Sequence, residues 1–187
     1  MNLIDTSDIV AKYDFSSVIS ERDQQDAMNR ISNIISEGKY FKNSPKYQTQ
    51  VNLFGIQDDT WLKFRFSFMF AAFMYLGREV PIHALQSWCF MTNNEEQEPD
   101  RENLWHTHHY TPGKTTISGI YYLHIPKDAD YDTSGTEFAP DGPMNPARFT
   151  VKPTPYNWII YPGKIYHRPT LPQSKDFRFV VAADMEF

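Results

Sequence analysis

Three histidines, His106, His108 and His109, fall within the segment "NLWHTHHYTPG", although the whole chain of 187 residues has only six. Side chains on an extended strand alternate between faces, so His106 and His108 aim at one side and His109 at the other. Two imidazoles on one face are part of a chelate; the bland alternative is a histidine-rich surface turn. A third candidate, His167, lies downstream in "NWIIYPGKIYHRP", where a strand runs into a Pro162-Gly163 turn. Antiparallel strands far apart in sequence can lie side by side, so His167 can close a facial three-ligand site with His106 and His108. Arg178 follows in "KDFRFVV". A guanidinium inside a sandwich of sheets needs an anion, and its planar fork suits a carboxylate best; otherwise Arg178 is a surface arginine at a strand start.

Elements able to position these groups are legible along the chain. "SERDQQDAMNRISNIISEG" sets Met28, Ile31, Ile34 and Ile35 on one helical face, with Ser20 as N-cap and Gly38 as the stop. One strand is expected in "KYQTQVNLF", after which Asp58 or Asp59 opens an aromatic helix that Gly77 closes. Beyond residue 80 the pattern is β: "IHALQSWCFMT", "KTTISGIYYLHI", "ARFTVK", "NWIIY" and "FRFVVAADM", separated by Pro, Gly, Asn and Asp. Helices followed by strands indicate an α+β fold, a double-stranded β-helix or jelly roll with N-terminal helices packed on one sheet. The length suits a single domain, 1–187, with residues 1–80 as a mainly helical support region and 81–187 as the jelly-roll core. Two connections, Asn93 to Glu102 and Lys127 to Pro146, exceed what a turn needs; the second is a candidate lid, mobile until substrate binds.

Bulk properties narrow the function. A net charge of -5 and an acidic longest charge run disfavour nucleic acid as a partner. A lone cysteine, Cys89, forms no internal disulfide and builds no thiol-rich metal site, which suits a reducing, cytoplasmic setting. The N-terminus lacks the basic flank and apolar core of an export signal. "WLKFRFSFMFAAFMYLG" is too short and too charged to span a bilayer, so no membrane is expected.

In order along the chain stand "HTH", "SGIYYLHIP", "SGTEFAPDGP", "YPGKIYH" and Arg178. This succession resembles the Fe(II)- and 2-oxoglutarate-dependent oxygenases, in particular a bacterial and phage branch similar to prolyl hydroxylases. The resemblance covers Ser87 to Met185 well and "YQTQVNLF" more loosely. Each motif is weak alone; several in order are fairly specific. It implies an Fe(II) site with His106 and His167 in the two histidine positions, and Arg178 on the far carboxylate of 2-oxoglutarate. The implied reaction is hydroxylation of a C–H bond in a small-molecule or peptide substrate, using dioxygen, coupled to decarboxylation of 2-oxoglutarate to succinate.

His108 departs from the family pattern, since most of the superfamily has Asp or Glu there. Three imidazoles leave the metal charge uncompensated, where a carboxylate ligand would neutralise one unit. Glu137 and Asp141, on the long connection, are the carboxylates available if one is required. Either Tyr121 or Tyr122 faces the interior; Tyr122 is favoured as a partner for the cosubstrate, together with Ser118, a small polar residue at even separation and so suited to the same face. Gly119 lets something approach the strand closely. Trp105 and Tyr110 are candidates for a substrate mouth, Trp88 suits aromatic core, and His83 and His124 are structural. Two other readings fit parts of this pattern: a cupin-type metalloprotein that does not use 2-oxoglutarate, although the usual cupin Glu after the second His is absent, and a non-catalytic jelly-roll binding module. The strand-parity argument has a direct test: His108→Ala should abolish tight metal binding and His109→Ala should leave it unchanged, measured by titration with Co(II). The opposite pattern would refute the alternation.

Overall fold

The computed structural model describes residues 9–43, 46–94, 104–108, 111–132, 134–145, 148–170 and 173–187. Helix α1 (Glu21–Ser36) starts where Ser20 and Asp23 form a reciprocal capping box; of the expected stripe Ile31 and Ile34 are buried and Met28 and Ile35 partly so, with Ala27 buried beside them. Helix α2 (Asp59–Leu76) begins with the Asp58 side chain accepting from the Trp61 N–H and ends at Gly77 with φ 66. Before it, strands β1 (Ala11–Asp14), β2 (Tyr40–Asn43) and β3 (Lys46–Thr49) are already in place. The later strands are β4 (Ala84–Thr92), β5 (Thr116–His124), β6 (Thr136–Ala139), β7 (Phe149–Val151), β8 (Asn157–Pro162), β9 (Tyr166–Pro169) and β10 (Arg178–Glu186).

A seven-stranded antiparallel sheet runs β1-β8-β5-β10-β4-β3-β2, and a three-stranded one runs β7-β6-β9. Parity divides the large sheet into two cores. Ile117, Tyr121, Leu123, Trp158, Ile160, Val181, Ala183 and Met185 pack with the helices. Their strand neighbours Ile120, Tyr122, Ile159, Tyr161 and Val180 pack with Phe138 and Val151 of the small sheet. Because both faces are covered, these strands read as continuous apolar runs rather than alternating ones.

Several expectations need correction. Among the described residues the first 80 hold three strands rather than one: β1 pairs with β8 at one edge, and the β2–β3 hairpin extends the other through β4. Each is only four residues long, too short for periodicity to register. The expected strand "KYQTQVNLF" keeps only its first four residues, because Asn52 caps a short 3-10 helix at Leu53–Gly55. The Lys127 to Pro146 connection is not a simple lid, since β6 within it pairs with both β7 and β9 and buries Phe138 completely. Residues 95–103 of the acidic connection lie outside the described residues.

Gly119 has its reason here. A Cβ at that position would stand 2.6 Å from Phe68 Cε2 of α2 and 3.1 Å from Ile160 Cδ1, so the strand is bare where the helix presses on it. Gly119→Val should destabilise by about 1–3 kcal/mol through overpacking. A denaturant midpoint unchanged from wild type would show that α2 is not seated this tightly.

Candidate metal centre

Residues after Leu104 run antiparallel to β9. His106 N–H donates to His167 C=O at 3.2 Å and His167 N–H returns to His106 C=O at 3.1 Å, a two-residue bridge that sets the first and third histidines face to face. The His108 N–H then donates to Gly163 C=O at 2.7 Å, holding the segment against the Pro-Gly turn. Gly163 is bare for that contact, since a Cβ there would lie 2.5 Å from the His108 carbonyl oxygen.

One ring nitrogen from each of His106, His108 and His167 lies within 4.8 Å of the others. Ring centroids are 4.3 Å apart for His106 and His167, 4.8 Å for His108 and His167, and 5.1 Å for His106 and His108. Each Nδ1 faces an acceptor: Leu104 C=O at 2.8 Å, Asp184 Oδ1 at 2.8 Å and Ile165 C=O at 3.0 Å, respectively for His106, His108 and His167. A carbonyl or carboxylate oxygen only accepts, so Nδ1 carries a hydrogen on all three rings and Nε2 is the nitrogen left for a metal. Burial first, and then the two neighbouring imidazoles, push His167 well below the ordinary histidine range, so it is neutral at pH 7. The Tyr161 hydroxyl lies 3.1 Å from His167 Nε2, a bond that a metal on that nitrogen would displace. Donor type, tautomer and convergence fit a divalent transition metal.

The cluster opens on a cavity, itself open to solvent, lined by the three histidines with Trp88, Phe90, Ile120 and Ala182, and by the polar groups of Gln48, Thr136 and Tyr161. Trp88, expected in the core, is half-buried and lies against His108 with ring centroids 5.4 Å apart. Trp105 is not a mouth residue. It is buried between the Arg168 and Arg148 guanidiniums, 4.4 and 5.2 Å from its ring, and so clamps the residue before His106 to the outside of the small sheet. His109 and Tyr110 lie outside the described residues. The carboxylates held in reserve are engaged elsewhere or remote: Glu137 accepts from Arg168 Nε at 2.6 Å, and Asp141 sits in an exposed turn.

Tyr122, not Tyr121, faces the space between the sheets; Tyr121 packs beneath the helices and bonds Gln24. The Tyr122 hydroxyl is 2.7 Å from Thr136 Oγ1. Burial pushes this phenol up while the charge of Arg178 pulls it down, and the net rise keeps it protonated at neutral pH. Arg178 is wholly buried. Its Nη1 donates to Ser134 C=O at 2.8 Å, and its Nη2 donates to Thr170 C=O at 2.9 Å and Thr92 Oγ1 at 3.1 Å. The guanidinium thus ties β10 to the backbone at Ser134 and Thr170 and to the Thr92 hydroxyl. Ser118, expected on the cosubstrate, instead donates to Asp184 Oδ1 at 2.6 Å and lies behind His108. Asp184 itself escaped the sequence reading. Its signal was present: a single acid in the apolar run "FVVAADM", at even separation from Arg178 and so on the same face.

No protein-family model matches the chain, and no curated protein matches it in sequence. Solved structures match it in shape. The non-haem α-ketoglutarate-dependent epimerase SnoN of nogalamycin biosynthesis aligns with a TM-score of 0.69 at 10% identity, over 96% of this chain and 79% of that one. A Pseudomonas putida prolyl-4-hydroxylase aligns at 0.63 and 8% identity, over 95% and 91% of the two chains. The collagen prolyl hydroxylase of Paramecium bursaria Chlorella virus-1, solved as its 2-oxoglutarate complex, aligns at 0.61 and 12% identity, over 95% and 96%. The fold is therefore the double-stranded β-helix that these solved structures share. Among the described residues no helix is long and apolar enough to cross a membrane.

Gly163 offers a test of the centre that touches no ligand. Gly163→Ala should displace His108 and lower Co(II) affinity on the order of tenfold. Full affinity in a folded variant would show that the turn does not set the site.

Proposed function

We propose that this protein is an Fe(II)- and 2-oxoglutarate-dependent oxygenase that hydroxylates a C–H bond of a small-molecule or peptide substrate. The observation that carries the reading is the convergence of three imidazoles whose Nδ1 hydrogens are all held outward. His106, His108 and His167 would hold the iron, leaving positions for 2-oxoglutarate and dioxygen. Bound there, iron with 2-oxoglutarate supplies the oxidising power for C–H hydroxylation, coupled to loss of carbon dioxide and formation of succinate.

The chain's own groups orient and shield. Arg178 and Tyr122 are assigned to the far carboxylate of 2-oxoglutarate, with Thr136 between them and the histidines. For that contact Arg178 must exchange carbonyl acceptors for a carboxylate, a stronger, charge-assisted partner. Trp88, Phe90 and Ile120 form an apolar wall that excludes water, and the Gln48 amide can orient a neutral polar group of the substrate.

The resemblance in fold and the buried cation at Arg178 favour this reading over a cupin-type protein, which leaves Arg178 without a task. Anaerobic addition of Fe(II) and 2-oxoglutarate should produce a weak visible charge-transfer band, and succinate should form on exposure to air. Arg178→Ala should weaken 2-oxoglutarate binding by roughly ten- to a hundredfold, from about 1.5–3 kcal/mol per hydrogen bond to a charged group. Arg178→Lys keeps the charge without the fork and should fall between. Iron affinity should hardly change in either. Metal binding without the band, or normal cosubstrate affinity in a folded Arg178→Ala protein, would favour the cupin reading.

A further inference from the structure

Granted the metal site just proposed, we infer that Asp184 supplies, through His108, the negative charge that a carboxylate ligand would otherwise bring to the metal directly. The three candidate ligands are all imidazoles, and among the described residues no carboxylate joins their cluster. Three neutral donors leave a divalent ion's charge whole within a cavity walled largely by apolar side chains, where uncompensated charge is poorly stabilised.

Asp184 stands one step behind. It is 2% exposed and lies on β10 at even separation from Ala182, which lines the cavity. Its Oδ1 receives two donors, His108 Nδ1 at 2.8 Å and Ser118 Oγ at 2.6 Å. Sheet register sets this arrangement, because Asp184 and Ser118 are direct cross-strand partners on β10 and β5. A carboxylate on the outer nitrogen of a ligating imidazole fixes its tautomer, aims its ring and raises the basicity of the inner nitrogen. The Nδ1 atoms of His106 and His167 face the backbone carbonyls of Leu104 and Ile165. The carboxylate thus stands behind His108, the position where the sequence resemblance puts an acidic ligand. The carboxylate has moved outward by the width of one imidazole.

Charge and geometry separate experimentally, because asparagine presents an amide oxygen of the same shape to both donors. Asp184→Asn should weaken Co(II) and Fe(II) binding to the apoprotein by ten- to a hundredfold and move the Fe(III)/Fe(II) midpoint potential upward, since less negative charge favours the reduced ion. Ser118→Ala removes a donor but leaves the charge, and should change metal affinity only a few-fold. Circular dichroism and thermal melts of each apoprotein establish that the comparison is between folded chains.

Wild-type affinity and potential in Asp184→Asn, or a loss of affinity in Ser118→Ala equal to that in Asp184→Asn, would reduce Asp184 to a structural hydrogen-bond partner and overturn the inference. Failure of the wild-type protein to bind Co(II) or Fe(II) would instead remove the proposed function, and this inference with it.

Discussion

His106 and His167 face one another because they exchange a pair of backbone hydrogen bonds, and the rest of the site depends on that bridge. It converts two sequence segments far apart into neighbours at the spacing a metal needs. Strand alternation then carries His108 to the same side, and the bare backbone of Gly163 admits its carbonyl. Trp105, stacked between Arg148 and Arg168, pins the segment immediately before His106. The ligands are thus placed by main-chain geometry, with side-chain clamps at the ends.

That bridge is useful only if the large sheet behind it is rigid, and the helices supply the rigidity. β5, β8 and β10 bury residues on both faces, so removing α1 and α2 would expose Tyr121, Trp158 and Val181 to water. Aromatic packing of Phe68 and Phe64 against Trp158 and Tyr121 seats α2 at one height on the sheet, where Gly119 leaves room. With its outer face fixed, the inner face holds Ile120, Tyr122, Ala182 and Asp184 in register opposite the small sheet. Support region and site are two faces of the same strands.

Polar groups inside the sandwich follow a consistent logic. Arg178, Asp184 and Glu186 lie along the inner parity of β10, all at most 4% exposed, where an unsatisfied charge would be costly. Each has partners. Arg178 bonds Ser134, Thr170 and Thr92; Asp184 bonds His108 and Ser118; Glu186 accepts from Thr111. One strand therefore carries a buried cation at one end and, further along, an anion behind His108. This is the order of charges that the proposed anionic cosubstrate and divalent metal would require.

Histidine identity and alternation were enough to nominate His106, His108 and His167, because strand parity is a local rule that needs only the i, i+2 spacing. Capping and glycine signals likewise placed α1 and α2 to within a residue or two, since those interactions are made within a single turn. What stayed hidden depends on partners distant along the chain. Strands β1, β2, β6 and β9 are four residues each and are strands only because a neighbour's backbone pairs with them, so Lys127 to Pro146 read as a loop. Trp88 lines the cavity and Trp105 is held between two arginines, because an indole suits core, cavity or a cationic clamp and only the packing decides. Ser118 was correctly placed on the inner face with Tyr122, but its partner was set by the β5–β10 register, which brings Asp184 opposite it. Local spacing determined which residues could bind a metal; tertiary pairing decided which carboxylate stands behind them, because register between strands is a property of the whole sheet.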